Sequence, residues 1–314
     1  MKLNSKFTEK KATRDGLGDG LLELGRNPKV VVLCADLEES TKTKAFKQKH
    51  PKRFFEAGVA EMNLVGMAAG LALDGYIPFA TTFAVFGTGL AYGTVRQSVA
   101  INKANVKLAC THAGVTVGED GETHQMLEDV SLMTGLGITT VVPCDYLEAK
   151  RATIAAASWP GSLYLRFGRE KTPIITDAST PFKIGEAEIF RDGSDIAIIA
   201  NGIEVFQALE AAKILKTKGV SARVINCHTL PLDEKTVLKA ARACGAIVTA
   251  EEHSIHGGLG STVSRLLAEK APTPTEFVGT RSFGESGTAS QLMERHGLTA
   301  PYIARVAALA ESRK

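Results

Sequence analysis

Two hydrophobic rhythms alternate along the chain: short unbroken apolar runs, and longer stretches in which apolar residues recur every three or four positions. The runs suit strands buried on both faces of a parallel sheet, and the periodic stretches suit helices that cover it. After a polar segment, 4–11, that reads as a mobile lead-in, Leu17 to Leu24 forms a helix stopped by Gly25 and Pro28, and Val30 to Leu33 forms a buried strand. The same unit then repeats. Strand Phe54-Phe55 precedes helix 61–73, strand Ile77 to Thr81 precedes helix Leu90 to Asn102, and strand Val106 to Cys110 precedes helix Met126 to Thr134. Strand Thr139 to Val142, helix Tyr146 to Ser158 and strand Leu163 to Phe167 complete the series. Such alternation predicts an α/β fold, a doubly wound parallel sheet with right-handed crossovers.

Gly168 to Pro181 has linker composition, and beyond it the alternation restarts. Strands Asp195 to Ala200, Ala222 to Asn226 and Ala246 to Thr249 alternate with helices 203–218, 234–243 and 260–271, followed by two short helices. The expectation is a first domain over 1–170, a linker over 171–184 and a smaller α/β domain of about five strands over 185–314. A length of 314 residues suits two such domains.

Composition narrows the function classes. Apolar residues make up 44% and charged residues 23%, with a net charge of +3 and no basic block interleaved with aromatics, so nucleic acid is not indicated. Five scattered cysteines without CxxC spacing indicate reduced, cytoplasmic usage and no metal site. Residues 1–11 do not read as a signal peptide. The uncharged stretch Gly75 to Val95 is long enough to span a bilayer, but Pro78, four glycines and four threonines interrupt it, so no membrane span is expected.

In doubly wound sheets, sites lie off the carboxyl ends of the strands. Those ends carry Asp36 with Ser40, Glu61, Phe83 with Phe86, His112, and Arg166 with Arg169, and the loop 112–125 adds Asp120 and His124. Glu61 opens a helix that is apolar nearly all round, with small Gly66, Ala68, Ala69 and Gly70, so burial of helix and carboxyl together is expected. A buried carboxyl needs a partner or a proton; the plain alternative is a dipole complement in the first turn. Gly16-Leu17-Gly18-Asp19-Gly20 has GxGxG spacing but no preceding strand, so it fails as a dinucleotide site. Its Gly-Asp-Gly lacks the asparagine about two dozen residues on that a metal and diphosphate motif needs, so Asp19 reads as an exposed helix residue.

The most specific stretch is Gly118-Glu119-Asp120-Gly121-Glu122-Thr123-His124-Gln125, a loop too long and too functionalised for a plain connection. Together with Gly58-Val59-Ala60-Glu61, Phe83 and Phe86, in this order and spacing, it resembles the pyrimidine-binding domain of transketolase. Ala250-Glu251-Glu252-His253 and Gly257-Gly258-Leu259-Gly260 are similar to the transketolase C-terminal domain. The diphosphate-binding domain of full-length transketolases is absent from this sequence, so the resemblance is to the C-terminal subunit of a split transketolase.

The resemblance implies thiamine diphosphate as cofactor, with Glu61 sharing a proton with its aminopyrimidine and burial raising the carboxyl's pKa. It implies Phe83 and Phe86 as the pyrimidine pocket and Asp36 near the thiazolium. Asp120 and His124 would serve the sugar hydroxyls and proton transfer, and Arg14, Ser40, His112 and Arg169 the substrate phosphate. Arg166 either joins that grip or pairs with an acid. Where many family members carry a tyrosine, this chain has Gly89, with Tyr92 one turn on. The Gly257 to Gly260 stretch could hold an anion or serve packing, the latter favoured.

The resemblance further implies Mg²⁺ held by a partner, the transketolase N-terminal subunit, self-association into a dimer core as α2β2, and sugar-phosphate substrates. Rival readings are the β subunit of a 2-oxo-acid dehydrogenase, a 1-deoxyxylulose-5-phosphate synthase-like enzyme, and a non-catalytic α/β regulatory subunit.

Overall fold

The computed structural model describes residue 3 and residues 7–314. Residues 4–6 of the expected lead-in lie outside the described residues, but its end is ordered. Lys10–Ala12 (β1) pairs antiparallel with Lys171–Pro173, a strand inside the expected linker.

In chain order there follow α1 (Thr13–Leu24), β2 (Val30–Cys34), α2 (Lys44–Lys49), β3 (Phe54–Glu56), α3 (Glu61–Leu73) and β4 (Ile77–Thr81). Next comes a helical stretch that starts five residues earlier than its periodicity suggests. Val85–Leu90 and Val95–Ile101 are wound as π-helix on either side of the α turn Tyr92–Thr94 (α4). The widened turns coincide with Phe86, and π segments of this kind recur at functional sites. Then come β5 (Lys107–Cys110), α5 (Asp129–Gly135), β6 (Thr139–Val141), α6 (Tyr146–Ala156), β7 (Leu163–Arg166) and β8 (Lys171–Pro173).

The second domain comprises β9 (Glu188–Arg191), β10 (Ile196–Ala200), α7 (Glu204–Thr217), β11 (Ala222–Asn226), β12 (Thr229–Leu230), α8 (Glu234–Cys244), β13 (Ile247–Ser254), α9 (Leu259–Lys270), β14 (Thr275–Thr280), α10 (Ala289–Arg295) and α11 (Ala300–Glu311). Its five-stranded sheet runs β14-β13-β10-β11-β9, parallel except for the edge strand β9. The first sheet runs β12-β6-β7-β5-β4-β2-β3, also parallel except at one edge, where β12 from the second domain adds to β6. That added strand, missed for its brevity, ties the domains through backbone hydrogen bonds.

The all-apolar strands β2 and β10 are buried along their whole length, as a doubly covered sheet demands. On one face of the first sheet α1 and α6 pack closely. A Cβ on Gly16 would stand 2.4 Å from the Tyr146 carbonyl oxygen, and one on Gly20 2.7 Å from Thr153 Cβ. The glycines of this stretch therefore serve helix packing, and Asp19 is exposed, accepting from the Tyr146 hydroxyl.

On the other face α3 behaves differently from expectation. Leu64, Val65, Ala68 and Ala69 are buried, but Met62 is 58% and Leu73 68% exposed, and nothing lies within 4 Å of a Cβ placed on Gly66 or Gly70. The helix is apolar all round, yet this chain covers only one of its sides. Val59, Leu90 and Ile101 extend the open apolar area. No helix among the described residues is long and apolar enough to cross a membrane.

Candidate active site

Strand ends of the first sheet place the expected residues on one rim. Asp36 follows β2 with φ +56° and His112 follows β5 with φ +58°. Aspartate and histidine are among the residues that most readily take this left-handed backbone, and Lys42 and Lys103 take it elsewhere in the chain. Asp36 is held by its own N–H, which donates to Glu56 Oε1 at 2.7 Å; the same oxygen accepts from Gly58 N at 2.9 Å. Glu56 thus fixes the turns leading away from β2 and into α3.

Glu61 occupies the first turn of α3, only 6% exposed, and its carboxylate makes no hydrogen bond or ion pair among the described residues. It sits between exposed Val59 and Met62 at the border of the open apolar face.

Aromatic rings form the centre of the rim. Phe83 and Phe86 stack at 5.9 Å between centroids and 13° between planes, and Phe83 stacks on the His112 ring at 3.7 Å. His124 meets both phenylalanines edge-on, at 6.4 and 5.6 Å. Gly89 is exposed with Met126 as its nearest side chain, and Tyr92 leans half-buried into the helical core.

Arg14 Nη1 donates to the Ser40 carbonyl oxygen at 3.1 Å and lies 3.2 Å from His112 Nε2. A guanidinium can only donate, so Nε2 accepts and the ring proton sits on Nδ1, 2.8 Å from Thr111 Oγ1. Burial, reinforced by the charges of Arg14 and Arg169, pulls the His112 pKa down to about 3, so the ring is neutral. As placed, His112 orients Arg14 instead of offering an N–H of its own. Burial also lowers the Arg14 pKa from its ordinary value. Arg169 Nη1 donates to the Val117 carbonyl oxygen and lies 3.5 Å from Glu119 and 3.9 Å from Asp120. Arg14 and Arg169 form part of the wall of an interdomain cavity of about 660 Å³.

Arg166 does not belong to this group. It is buried, with Nε 2.7 Å from Asp129 Oδ2 and Nη2 donating to the carbonyl oxygens of Met126 and Glu252 at 3.3 and 2.9 Å. Burial pulls its pKa down, but Asp129 and Glu252 outweigh that and raise it. Of its two readings, pairing with an acid is the one the geometry carries. Tyr164 hydroxyl donates to the same Asp129 oxygen at 2.5 Å.

The second domain closes this network. Glu252 Oε1 accepts from Thr116 N at 2.7 Å, and a Cβ on Gly114 would strike the Glu252 carboxyl. Glu251 accepts from Leu259 N at 2.7 Å and Gly260 N at 2.8 Å, filling the α9 N-terminus. The glycine stretch therefore houses an internal carboxylate, which accounts for it as packing. His253 lies 3.9 Å from Asp129, and His256 is exposed.

The pyrimidine end of thiamine diphosphate fits the residues present, since a stacked aromatic wall and an acid without a partner among the described residues occupy the same rim. Among the described residues no group of three or more His, Cys, Asp or Glu side chains could hold a metal ion. All five cysteines are buried and unpaired.

Comparison with known proteins agrees with this geometry. Residues 9–174 match the family model "Transketolase, pyrimidine binding domain" and residues 185–303 match "Transketolase, C-terminal domain". A chain from Methanocaldococcus jannaschii named as a transketolase C-terminal section is 42% identical, over 94% of this chain and 95% of its own length. A 6-deoxy-6-sulfo-D-fructose transketolase subunit from a Clostridium species is 40% identical over 96% of this chain and 95% of its own. The solved structure "Split gene transketolase, inactive beta4 tetramer" superposes with a TM-score of 0.90 at 43% identity, covering 96% of this chain and 98% of that one. The chain belongs to the transketolase family, with the domain content of the C-terminal subunit of a split transketolase.

Proposed function

We propose that this chain transfers a two-carbon ketol unit between sugar phosphates, as one subunit of a two-chain transketolase that uses thiamine diphosphate and Mg²⁺. The observation that carries the reading is Glu61, a residue only 6% exposed whose carboxylate has no partner among the described residues, beside the open face of α3 and on the rim that holds the phenylalanine pair. With no partner among the described residues, its oxygens keep their bonding capacity for a group from outside the chain.

Thiamine diphosphate, when bound, supplies the carbanion chemistry. Glu61 would hold a proton against the aminopyrimidine, and Phe83 and Phe86 would supply its apolar wall. Asp36 would face the thiazolium side. Asp120 and His124 would bind sugar hydroxyls and move protons at them. Arg14, held by His112 and the Ser40 backbone, would grip the phosphate with Arg169, and charge-assisted donors suit a dianion. A 2-oxo acid would leave that grip idle.

The Mg²⁺ and diphosphate ligands are assigned to the N-terminal partner subunit, and the open face of α3 to self-association within an α2β2 assembly. Large apolar side chains left exposed on one helix, here Met62 and Leu73, suit such an interface. Five buried free thiols fit a reducing, cytoplasmic setting.

The test is reconstitution with the N-terminal subunit, thiamine diphosphate and Mg²⁺, assaying transfer from xylulose 5-phosphate to ribose 5-phosphate. The pair is expected to be active and this chain alone inactive, and Glu61→Ala should lose about 10²- to 10⁴-fold in kcat with an unchanged melting temperature. Full activity in Glu61→Ala would refute the role given to Glu61; activity of the chain alone would remove the need for a partner.

A further inference from the structure

The loop that carries Asp120 and His124 is gripped by the other domain. Gln125, 4% exposed, points its Nε2 at three carbonyl oxygens: Gly118 at 3.0 Å, Val115 at 3.3 Å and, from the second domain, Glu285 at 3.0 Å. Three acceptors around one atom fix the amide's orientation, because the reversed amide would set oxygen against oxygen. Its Oε1 then points away, buried and without a partner, against Gly284. A Cβ at position 284 would stand 1.7 Å from that oxygen, so a side chain there, in the strand-to-helix connection, would push the Gln125 amide aside.

The connection makes further contacts on the same turn. Ser286 Oγ donates to the Glu119 carbonyl oxygen at 2.7 Å. Gly118, at φ +86°, leaves the Gly287 carbonyl oxygen 3.4 Å from where its Cβ would be. The segment is itself anchored, Glu285 by Arg295 Nε at 3.0 Å and Thr288 by its capping of α10. Inside the loop, His124 N and Gln125 N both donate to the Gly121 carbonyl oxygen, at 3.0 and 3.2 Å. The side-chain amide thus ties the start of the turn, at the Gly118 carbonyl oxygen, to the backbone next to His124, whose ring lies against Phe83 and Phe86.

We propose that Gln125 and the second-domain segment 284–288 are positioning elements, through which the C-terminal domain holds Asp120 and His124 in working geometry. The inference rests on the ketol-transfer reading for its catalytic consequence. The grip falls on the turn 118–125, which bears the polar groups, so loosening it frees that turn and leaves both sheets intact.

The test uses Gln125→Met, which keeps size and removes the donor, and Gly284→Ala, which forces the amide aside from the opposite domain. Hydrogen–deuterium exchange of the chain should be about tenfold faster at 118–125 in both variants and unchanged in β5, β7 and β10. In the enzyme assembled with its N-terminal subunit, thiamine diphosphate and Mg²⁺, kcat should fall about tenfold, with any rise in KM for xylulose 5-phosphate smaller than that fall. Wild-type exchange at 118–125 in Gly284→Ala overturns the proposal, as does faster exchange with undiminished kcat. General loosening of both sheets would instead make the contact structural and likewise overturn it. If the wild-type assembly transfers no ketol unit, the functional reading fails, while the exchange comparison, which needs no substrate, still decides whether the second domain holds the loop.

Discussion

Two clusters of ionisable residues lie at the carboxyl ends of the first sheet, and they are built on opposite plans. Between the domains, Asp129 receives Arg166 and Tyr164 on one oxygen, Glu252 caps Thr116, and Glu251 fills the α9 N-terminus. On the rim, Glu61 has no partner, and Arg169 reaches Glu119 and Asp120 only at 3.5 and 3.9 Å. Both clusters are dense in acids, arginine and histidine. What separates them is where their bonds go: Arg166, Glu251 and Glu252 spend theirs holding loops and domains together, with Asp129 Oδ1 and Glu204 left sealed inside, and the rim groups keep bonding capacity for something else.

Two arginines break or sharpen that division. Arg166→Ala leaves Asp129 buried without its cation and should cost about 3–5 kcal/mol in urea denaturation. Arg14→Ala removes a half-buried donor and should cost about 1 kcal/mol, but raise KM for sugar phosphates about 10- to 100-fold in the assembled enzyme. Equal losses of stability in the two variants would erase the distinction.

Glu204 probes the interdomain side at smaller scale. It sits in the first turn of α7, fully buried, with neither carboxylate oxygen partnered. Burial, with the nearby Glu252 charge, pushes its pKa up to about 8. The folded state therefore holds a proton that the unfolded chain, with a carboxyl pKa of about 4.3, releases. The stabilisation is complete below the unfolded value and is lost as pH rises through the folded one, at no more than about 1.4 kcal/mol per pH unit. Glu204→Gln keeps the shape without the titration. Its stability should fall less from pH 5 to pH 7, by about 2–3 kcal/mol, and should exceed the wild type at pH 8. Urea midpoints that move in parallel across that range would mean Glu204 is not protonated in the fold.

The sequence carried the rim further than the packing. α3 and β4 were legible to the residue, because their periodicities are bounded by Gly58 and by the Asp74-Gly75 turn. Strand-end logic placed Asp36, Phe83, His112 and Arg169 together, since in this architecture chain position translates directly into place on the rim. β9, β12 and β14 were not, being short or partly exposed edge strands whose pattern shows neither a buried run nor a clean alternation. Arg166 was ambiguous because its partner lies 37 residues away on α5. The open side of α3 was invisible for a more general reason: apolar residues all round a helix say that it is covered, not which chain covers it. Gln125, though part of the most specific stretch, and Glu56 carry no role in the sequence reading because both act on backbone groups, and backbone acceptors and donors leave no mark in a sequence.

Glu56 gives the smallest and most local test of the rim. One oxygen of its carboxylate holds Asp36 N at 2.7 Å and Gly58 N at 2.9 Å, and both of these residues have left-handed backbone, at φ +56° and +69°. Glycine adopts such a φ freely, so the cost falls on Asp36, and the shared carboxylate ties the end of β2 to the entry to α3. Glu56→Gln retains a carbonyl oxygen at the same distance and should behave as wild type. Glu56→Ala loses both bonds together, which should raise KM for thiamine diphosphate about two- to tenfold while leaving kcat within about twofold. Identical KM values for all three proteins would mean that these turns hold themselves, and that the rim owes its shape to the sheet alone.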